Sequence, residues 1–377
     1  MNVLLASTSS KYSNGASRCL VELAKGLTHN GYNVVVTLPR RGELESVLKS
    51  ESIKYYIARE THYSWCVCDG ETKSWIKRII SRIVNEIAAY KIRGIIKSEN
   101  IDIVHMNAIT AYAAAVAGNQ CKVPVVWHIR EFLTDDLHMH FVFNSFSKNV
   151  INAGKKAIAI SNPIKEKWEK EISIPIEVIN DGLPIDNYYV ESLPSEEILN
   201  IVLYGRITRG KGQLFFIKGI ESALPRLNRL CHFYYAGTIE DETYYDEVVA
   251  EIADGNLAKH VSYLGEINDV KSMLSSMHIS CVCSQREGFG RVTVESMLGK
   301  CLVIGANTGA TTEIISDRVN GMLYKENNIE DFSASLVEAI NNYDYYTNMI
   351  ENAQREAIQK YSLEADIQKV MKLYSEI

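Results

Sequence analysis

The densest concentration of chemistry in this 377-residue chain is the segment EGFGRVTVESMLGK, residues 287–300. Seven residues separate Glu287 from Glu295. The segment follows a strand-like run, turns through Gly288 and Gly290, and enters a helix. The backbone N–H groups of Phe289, Gly290, Arg291 and Val292 would then face an incoming anion with the helix dipole behind them. Two carboxylates so arranged, one at the loop mouth and one in the first turns of the helix, can grip different hydroxyl groups of one bound molecule. The plainer alternative is a surface loop glutamate and a helix-capping charge.

A second strand-loop-helix segment, YGRITRGKGQ (204–213), carries Arg206 as a planar fork and Lys211 as a point charge, a pair able to converge on a diphosphate. The alternative is a solvated basic turn, against which stands the acidity of this half of the chain. The Gly-Lys-Ser/Thr ending of a Walker loop is absent. NTGATTEII (307–315) offers a small-residue turn in which Gly309 permits close approach of a phosphate or sugar; an ordinary strand-to-helix connection capped by threonine fits equally well. SNGAS (13–17) gives Gly15 the same opportunity, without the GxGxxG of a dinucleotide fold. In WHIRE, His128 stands at a strand end beside Arg130 and Glu131, on the edge where ligand-facing residues belong, although a lone histidine is more often structural. His138 and His140 do not have convincing metal-ligand spacing. The pairs Cys66/Cys68 and Cys281/Cys283 lack a second pair at zinc spacing and read as structural.

These segments need a scaffold that brings loop ends together. Strand-like runs at 2–7, 33–38, 102–107, 123–129, 156–161 and 176–180 alternate with helical patterns, which predicts βαβ units and a parallel sheet covered on both faces. The alternation restarts at 200–205 and continues through 231–237, 260–265, 278–284 and 301–306. The junction falls in DGLPIDNYYVESLPSEEI (181–198), where two prolines break the periodicity. The expected fold class is α/β, with two Rossmann-like doubly wound domains facing a central cleft. The chain beyond about 329 reads as wholly helical.

Composition excludes several classes. With 46% hydrophobic and 23% charged residues and only 7 prolines, the chain is neither disordered nor fibrous, and no run of about 18 apolar residues offers a membrane span. The first 190 residues carry 23 basic and 19 acidic side chains, the remainder 17 and 27, for a net charge of −6. An acidic protein of this kind is a poor nucleic-acid binder, and the asymmetry suggests different partners for the two halves. The opening MNVLLAS has no basic region before its apolar run, so a cytoplasmic location is expected, with the eight cysteines reduced.

Taken together, in order and spacing, SNGAS, WHIRE, the Ser161 turn, VINDGLPID, GRITRGKGQ, HVSYLGEINDV, EGFGRVTVESMLGK and NTGATTEII resemble the retaining family-4 glycosyltransferases of the GT-B fold over nearly the whole chain. The resemblance implies domains at 1–185 for the acceptor and 186–360 for a nucleotide-sugar donor, with a helix at 361–377 packing back on the first. It implies Arg206 and Lys211 on the donor diphosphate, Glu295 on the ribose, Glu287 and His128 near the transferred sugar, and backbone donors from the GFG turn. The reaction it implies is retaining transfer from a nucleotide sugar, a UDP-sugar in the first instance, to a saccharide or lipid-linked saccharide, in bacterial-type cell-surface polysaccharide synthesis. The nucleotide sugar is a substrate, and neither cofactor nor metal is implied. Departures occur at Ser13-Asn14-Gly15 and Gly309-Ala310, where Gly-Gly pairs are common, and at the Leu-Pro of VINDGLPID, so Asp181 and Asp186 receive no role. A nucleotide-sugar 2-epimerase and a noncatalytic sugar-nucleotide sensor are the alternatives.

Residues 73–97, KSWIKRIISRIVNEIAAYKIRGIIK, set Lys73, Lys77, Arg78, Arg82, Lys91, Arg93 and Lys97 against Glu86 alone. Ile76, Ile79, Ile80, Ile83 and Ile87 recur at helical spacing. Packing of the isoleucines on the sheet is the ordinary expectation; the alternative is a surface helix that meets an anionic membrane, with the protein peripheral to its inner face.

Overall fold

The computed structural model describes residues 1–12, 15–70, 74–194 and 198–377, and the chain divides into two compact units. Unit 1 comprises Met1–Gly182 with Leu363–Ile377, and unit 2 comprises Leu183–Ser362. The exchanges at 182/183 and 362/363 lie two or three residues from the 185/186 and 360/361 of the sequence reading. They are set by Leu183, whose N–H donates to Tyr361 O at 2.9 Å and which bridges to Ser362.

Unit 1 is built on β1 (Asn2–Ala6), β2 (Asn33–Leu38), β3 (Lys54–Ile57), β5 (Ile103–Met106), β6 (Val125–Ile129), β8 (Lys156–Ala159) and β9 (Ile176–Val178), while β4 (Cys66–Cys68) and β7 (Met139–Phe141) form a separate antiparallel pair. The seven-stranded sheet runs β3-β2-β1-β5-β6-β8-β9, all parallel. Its central strands are near-continuous apolar runs because helices cover both faces; Val3, Leu4 and Leu5 are buried without alternation.

Unit 2 repeats the plan with β10 (Leu199–Tyr204), β11 (Cys231–Ala236), β12 (Val261–Tyr263), β13 (Ile279–Val282), β14 (Leu302–Ala306) and β15 (Met322–Tyr324), in the order β12-β11-β10-β13-β14-β15. This is the doubly wound order in which the chain reverses direction beside its first strand, here between β10 and β13. Phe216, Phe233, Phe332 and Tyr324 fill the core on one face of this sheet.

The terminal helix Leu363–Ser375 belongs to unit 1. Ile367, Val370, Leu373 and Tyr374 enter the same core as Val3, Leu5, Leu20 and Leu27. Gly26, in the helix Gly15–His29, is where the two helices approach: a Cβ there would lie 1.8 Å from Ile367 Cδ1.

The helix Trp75–Ser98 departs from the ordinary expectation. It packs through Ser81, Asn85, Ala88, Ala89, Ile92, Ile95 and Ile96, while Ile76, Ile79, Ile80, Ile83 and Ile87 are between 51% and 64% exposed. The isoleucine stripe therefore faces away from the unit, because the small side chains opposite it permit the closer approach to the neighbouring helix Ala113–Cys121. Lys73 lies outside the described residues. Among those described, no helix is long and apolar enough to cross a membrane.

All four tryptophans, at 65, 75, 127 and 168, lie in unit 1, so tryptophan fluorescence reads its unfolding alone. Leu373→Ala removes a side chain that is 1% exposed and should destabilise unit 1 by about 2–5 kcal/mol in denaturant titration. Ile76→Ala, on the outward stripe, should change the same transition by no more than about 0.5 kcal/mol.

Candidate functional site

In unit 2 the carboxyl ends of the adjacent strands β10, β13 and β14 feed the three segments singled out above, and backbone contacts lock them to one another. Gln285 N–H donates to Gly210 O at 3.0 Å, and Ala310 N–H donates to Glu287 O at 3.1 Å. At Gly212 (φ 79°) a Cβ would lie 2.2 Å from Cys283 O, and at Gly309 (φ 53°) one would lie 2.7 Å from Glu287 O. Both positions combine a left-handed backbone with space for no side chain.

Glu287 sits in this knot. Its Oε1 accepts from Lys211 Nζ at 2.6 Å and from Ser284 Oγ at 2.5 Å. Burial alone would raise its pKa, but the Lys211 ammonium, the bonds from Lys211 and Ser284, and the Arg206 charge together hold it below the ordinary carboxylate range. It is an ionised, nearly buried acceptor.

Arg206 takes a different partner: its guanidinium, about half exposed, meets Glu240 at 2.9 Å. Arg206 and Lys211 thus lie on one loop without sharing a contact. Arg209, between them in sequence, forks onto Glu247 at 2.9 and 2.5 Å and covers the Tyr244 ring.

The helix Arg291–Leu298 begins at Gly290 (φ 102°), which supplies no side-chain cap. Phe289 is buried edge-on against Tyr361 at 5.5 Å between ring centres. Arg291 and Val292 are half-buried in the first turn. Glu295 points inward, with the Tyr204 hydroxyl donating to its Oε2 at 3.3 Å and Arg291 Nε 3.6 Å from its Oε1. The two glutamates expected to act on one molecule are therefore held by separate sets of residues, one in the loop and one in the helix.

Unit 1 holds the remaining sequence candidates. Gly15 opens its helix; Ser13 and Asn14 lie outside the described residues. His128 is fully buried on β6, within a polar cluster that sequence reasoning missed. His105 Nε2 lies 3.1 Å from His128 Nδ1, Arg130 Nη2 lies 3.3 Å from the same nitrogen, and the Tyr374 hydroxyl lies 2.7 Å from His105 Nδ1. Arg130 also donates to Asn107 O at 3.0 Å and pairs with Asp181, the residue to which the sequence assigned nothing. Strand parity could have revealed His105, since the paired runs DIVHMN and VPVVWHI each carry a histidine near their carboxyl ends. Nothing local marks Asp181 or Tyr374, which arrive from 51 and 269 residues away from their partners. Beside the cluster, burial and the neighbouring Asp136 push Glu131 up to about 7. Among the described residues, no group of three or more His, Cys, Asp or Glu side chains is arranged to hold a metal ion.

Unit 2 thus carries a locked, glycine-rich loop system at the carboxyl ends of its strands, and unit 1 a buried polar cluster. Comparison with known proteins adds the family. Residues 13–187 match the family described as Glycosyltransferase Family 4, and residues 189–356 that described as Glycosyl transferases group 1. An uncharacterized glycosyltransferase of Methanocaldococcus jannaschii is 28% identical over 305 residues, 80% of this chain and 82% of the relative. A lipopolysaccharide core biosynthesis mannosyltransferase of Rhizobium leguminosarum is 22% identical over 204 residues, 54% of this chain and 56% of the relative. The crystal structure of Anabaena HepE in complex with UDP and glucose matches with a TM-score of 0.82 at 20% identity, covering the whole of both chains. With both halves matched in sequence and the whole chain matched in fold, this protein belongs to the family-4 glycosyltransferases of the GT-B fold.

Proposed function

We propose that this glycosyltransferase moves a sugar, with retention of anomeric configuration and without a bound metal, from a nucleotide sugar to a saccharide or lipid-linked saccharide in the synthesis of a cell-surface polysaccharide. The observation that carries the reading is the locked loop system of unit 2, in which Lys211 and Glu287 meet beside the helix that starts after Gly290. UDP bound to the similar HepE favours a UDP-sugar, and the lipopolysaccharide core activity named for the Rhizobium relative favours a lipid-borne acceptor. Unit 2 then takes the donor and unit 1 the acceptor.

In this reading Arg206, Lys211 and the backbone N–H groups from Phe289 to Val292 take up the negative charge that grows on the departing diphosphate. Glu295 bonds the ribose, Glu287 and His128 bond the transferred sugar, and Gly15 and Gly309 let the backbone approach. The bond from the anomeric carbon to the phosphate oxygen breaks as the acceptor oxygen bonds the same carbon on the same face. The acceptor's hydroxyl proton passes to the departing phosphate oxygen. A product heavier than its acceptor by one sugar, found by mass spectrometry across a panel of nucleotide sugars and lipid-linked acceptors, tests the reaction; consumption of donor without such a product overturns it.

The outward helix Trp75–Ser98 completes the proposal. Lys77 and Lys91 lie on one side of its exposed isoleucines and Arg82 and Arg93 on the other, with Glu86 among the latter; Arg82 covers the Phe146 ring and Arg93 the Tyr90 ring, and among the described residues no ion pair engages these four cations. An apolar stripe between two cationic borders complements an anionic bilayer, each cation contributing about 1 kcal/mol near the surface. We infer that the protein works at the cytoplasmic face of the membrane through this helix.

Three outcomes follow. Arg206→Ala and Lys211→Ala should each cost on the order of 2–4 kcal/mol of transition-state stabilisation, read as a fall in kcat/KM with melting unchanged; near-normal kinetics in both would sink the diphosphate assignment. Glu295→Gln should weaken calorimetric binding of free nucleoside diphosphate, whereas Glu287→Gln should spare it and slow transfer; the opposite pattern reverses the roles. The chain should sediment with anionic vesicles and not neutral ones, less so as salt rises, and lose binding when Lys77, Arg78 and Arg82 become Ser. Equal binding to both vesicle types would remove the membrane from the account.

A further inference from the structure

The buried cluster of unit 1 has a direction. A guanidinium only donates hydrogen bonds, so Arg130 Nη2, 3.3 Å from His128 Nδ1, meets a lone pair on that nitrogen. His105 Nε2, 3.1 Å from the same Nδ1, must then carry its own proton and donate it. His105 Nδ1 is left as the acceptor of the Tyr374 hydroxyl at 2.7 Å. The reverse assignment would point an Arg130 N–H at a His128 N–H.

Both rings are pushed toward the neutral form. Burial, with Arg130 adding its charge, pushes His105 down to about 3 and His128 well below its ordinary value. A neutral His128 with its lone pair on Nδ1 has its proton on Nε2. That nitrogen is buried and, among the described residues, has no hydrogen-bond partner. The nearest carboxylate oxygen, Asp181 Oδ1, stands 3.8 Å away, beyond hydrogen-bonding distance, and is engaged by Arg130. An orphaned buried donor is costly unless an acceptor is brought to it.

We propose that Tyr374 and His105 are positioning residues that, with Arg130, fix the His128 proton on Nε2, so that His128 offers a donor-sugar oxygen a fixed N–H and takes no proton during transfer. The contact with the sugar rests on the function proposed above; the tautomer does not. The relay begins on the terminal helix Leu363–Ser375, which also packs in the core of unit 1.

Nitrogen-15 NMR of histidine-labelled full-length protein tests the relay, with the His128 signals identified by their loss in His128→Gln. The wild-type ring should be neutral with its proton on Nε2, and Tyr374→Phe, a single-atom change, should introduce the Nδ1–H form or exchange broadening. The same variant should lower kcat/KM by roughly tenfold, the effect of one weakened buried hydrogen bond, with nucleoside diphosphate binding unchanged in calorimetry. His128→Gln, which can present an N–H near the Nε2 position, should retain more activity than His128→Asn. A wild-type proton on Nδ1, a cationic ring, or a Tyr374→Phe variant with unaltered tautomer and kinetics would overturn the relay. The expected tautomer together with full transfer by His128→Ala would leave the relay standing and overturn the sugar contact.

Discussion

Backbone contact among three loops governs what the rest of unit 2 can do. Gly210, Gln285, Glu287 and Ala310 join the ends of β10, β13 and β14 through their main chains, and the glycines at 212 and 309 permit that closeness. Side chains then project from this shared frame. Lys211 and Glu287 owe their 2.6 Å contact to it, and Glu287 remains ionised despite burial because that cation and Ser284 are held against it. A lysine on a loose loop would stay in water, and a buried glutamate without it would take up a proton.

Unit 1 solves a similar problem with side chains. Arg130 and Asp181 are both buried, an arrangement that adds little stability as a pair but costs roughly 3–5 kcal/mol when one partner is removed. Asp366, from the terminal helix, accepts from Gly182 N–H at 3.2 Å, and burial together with Asp181 pushes its pKa up to about 7. The residues that end unit 1 in sequence and those that return to it are thereby tied around one guanidinium. Apolar packing by Val370 and Leu373 supplies the affinity of the helix for the unit, while Tyr374 and Asp366 fix its register.

How much of this was legible before the fold depended on range. Buried parallel strands announce themselves as apolar runs, and those starting at 2, 33, 102, 200 and 278 all fall within the sheets. The short strands β3, β4, β7 and β15 went unread, and length alone does not explain it, since β9 and β12 have only three residues each and were legible within the longer runs at 176–180 and 260–265. The loop motifs were readable because strand, glycine and helix start are contiguous. The partners of Arg206 and Glu295 were not, since Glu240 and Tyr204 belong to separate elements brought near by strand order. Asp181 shows the same limit: its carboxylate has meaning only when β6 and the terminal helix lie beside it.

The helix Trp75–Ser98 shows a different limit, that periodicity finds a stripe without saying which way it faces. Two stripes compete on this helix, one of isoleucines and one of Ala88, Ala89, Ile92, Ile95 and Ile96 with Ser81 and Asn85. The second wins the interior, since Asn85 donates to Thr61 O at 2.8 Å and accepts from Thr61 N–H at 2.9 Å, bonds that no isoleucine could replace. A polar side chain thus fixes the rotation of the helix and turns five isoleucines outward. Exposure on that scale is unusual for a surface that meets only water. A second copy of the chain could cover the isoleucines, but would bring the cationic borders of two identical helices together. The anionic surface proposed above would meet stripe and cations at once, which is the reason it is preferred to self-association.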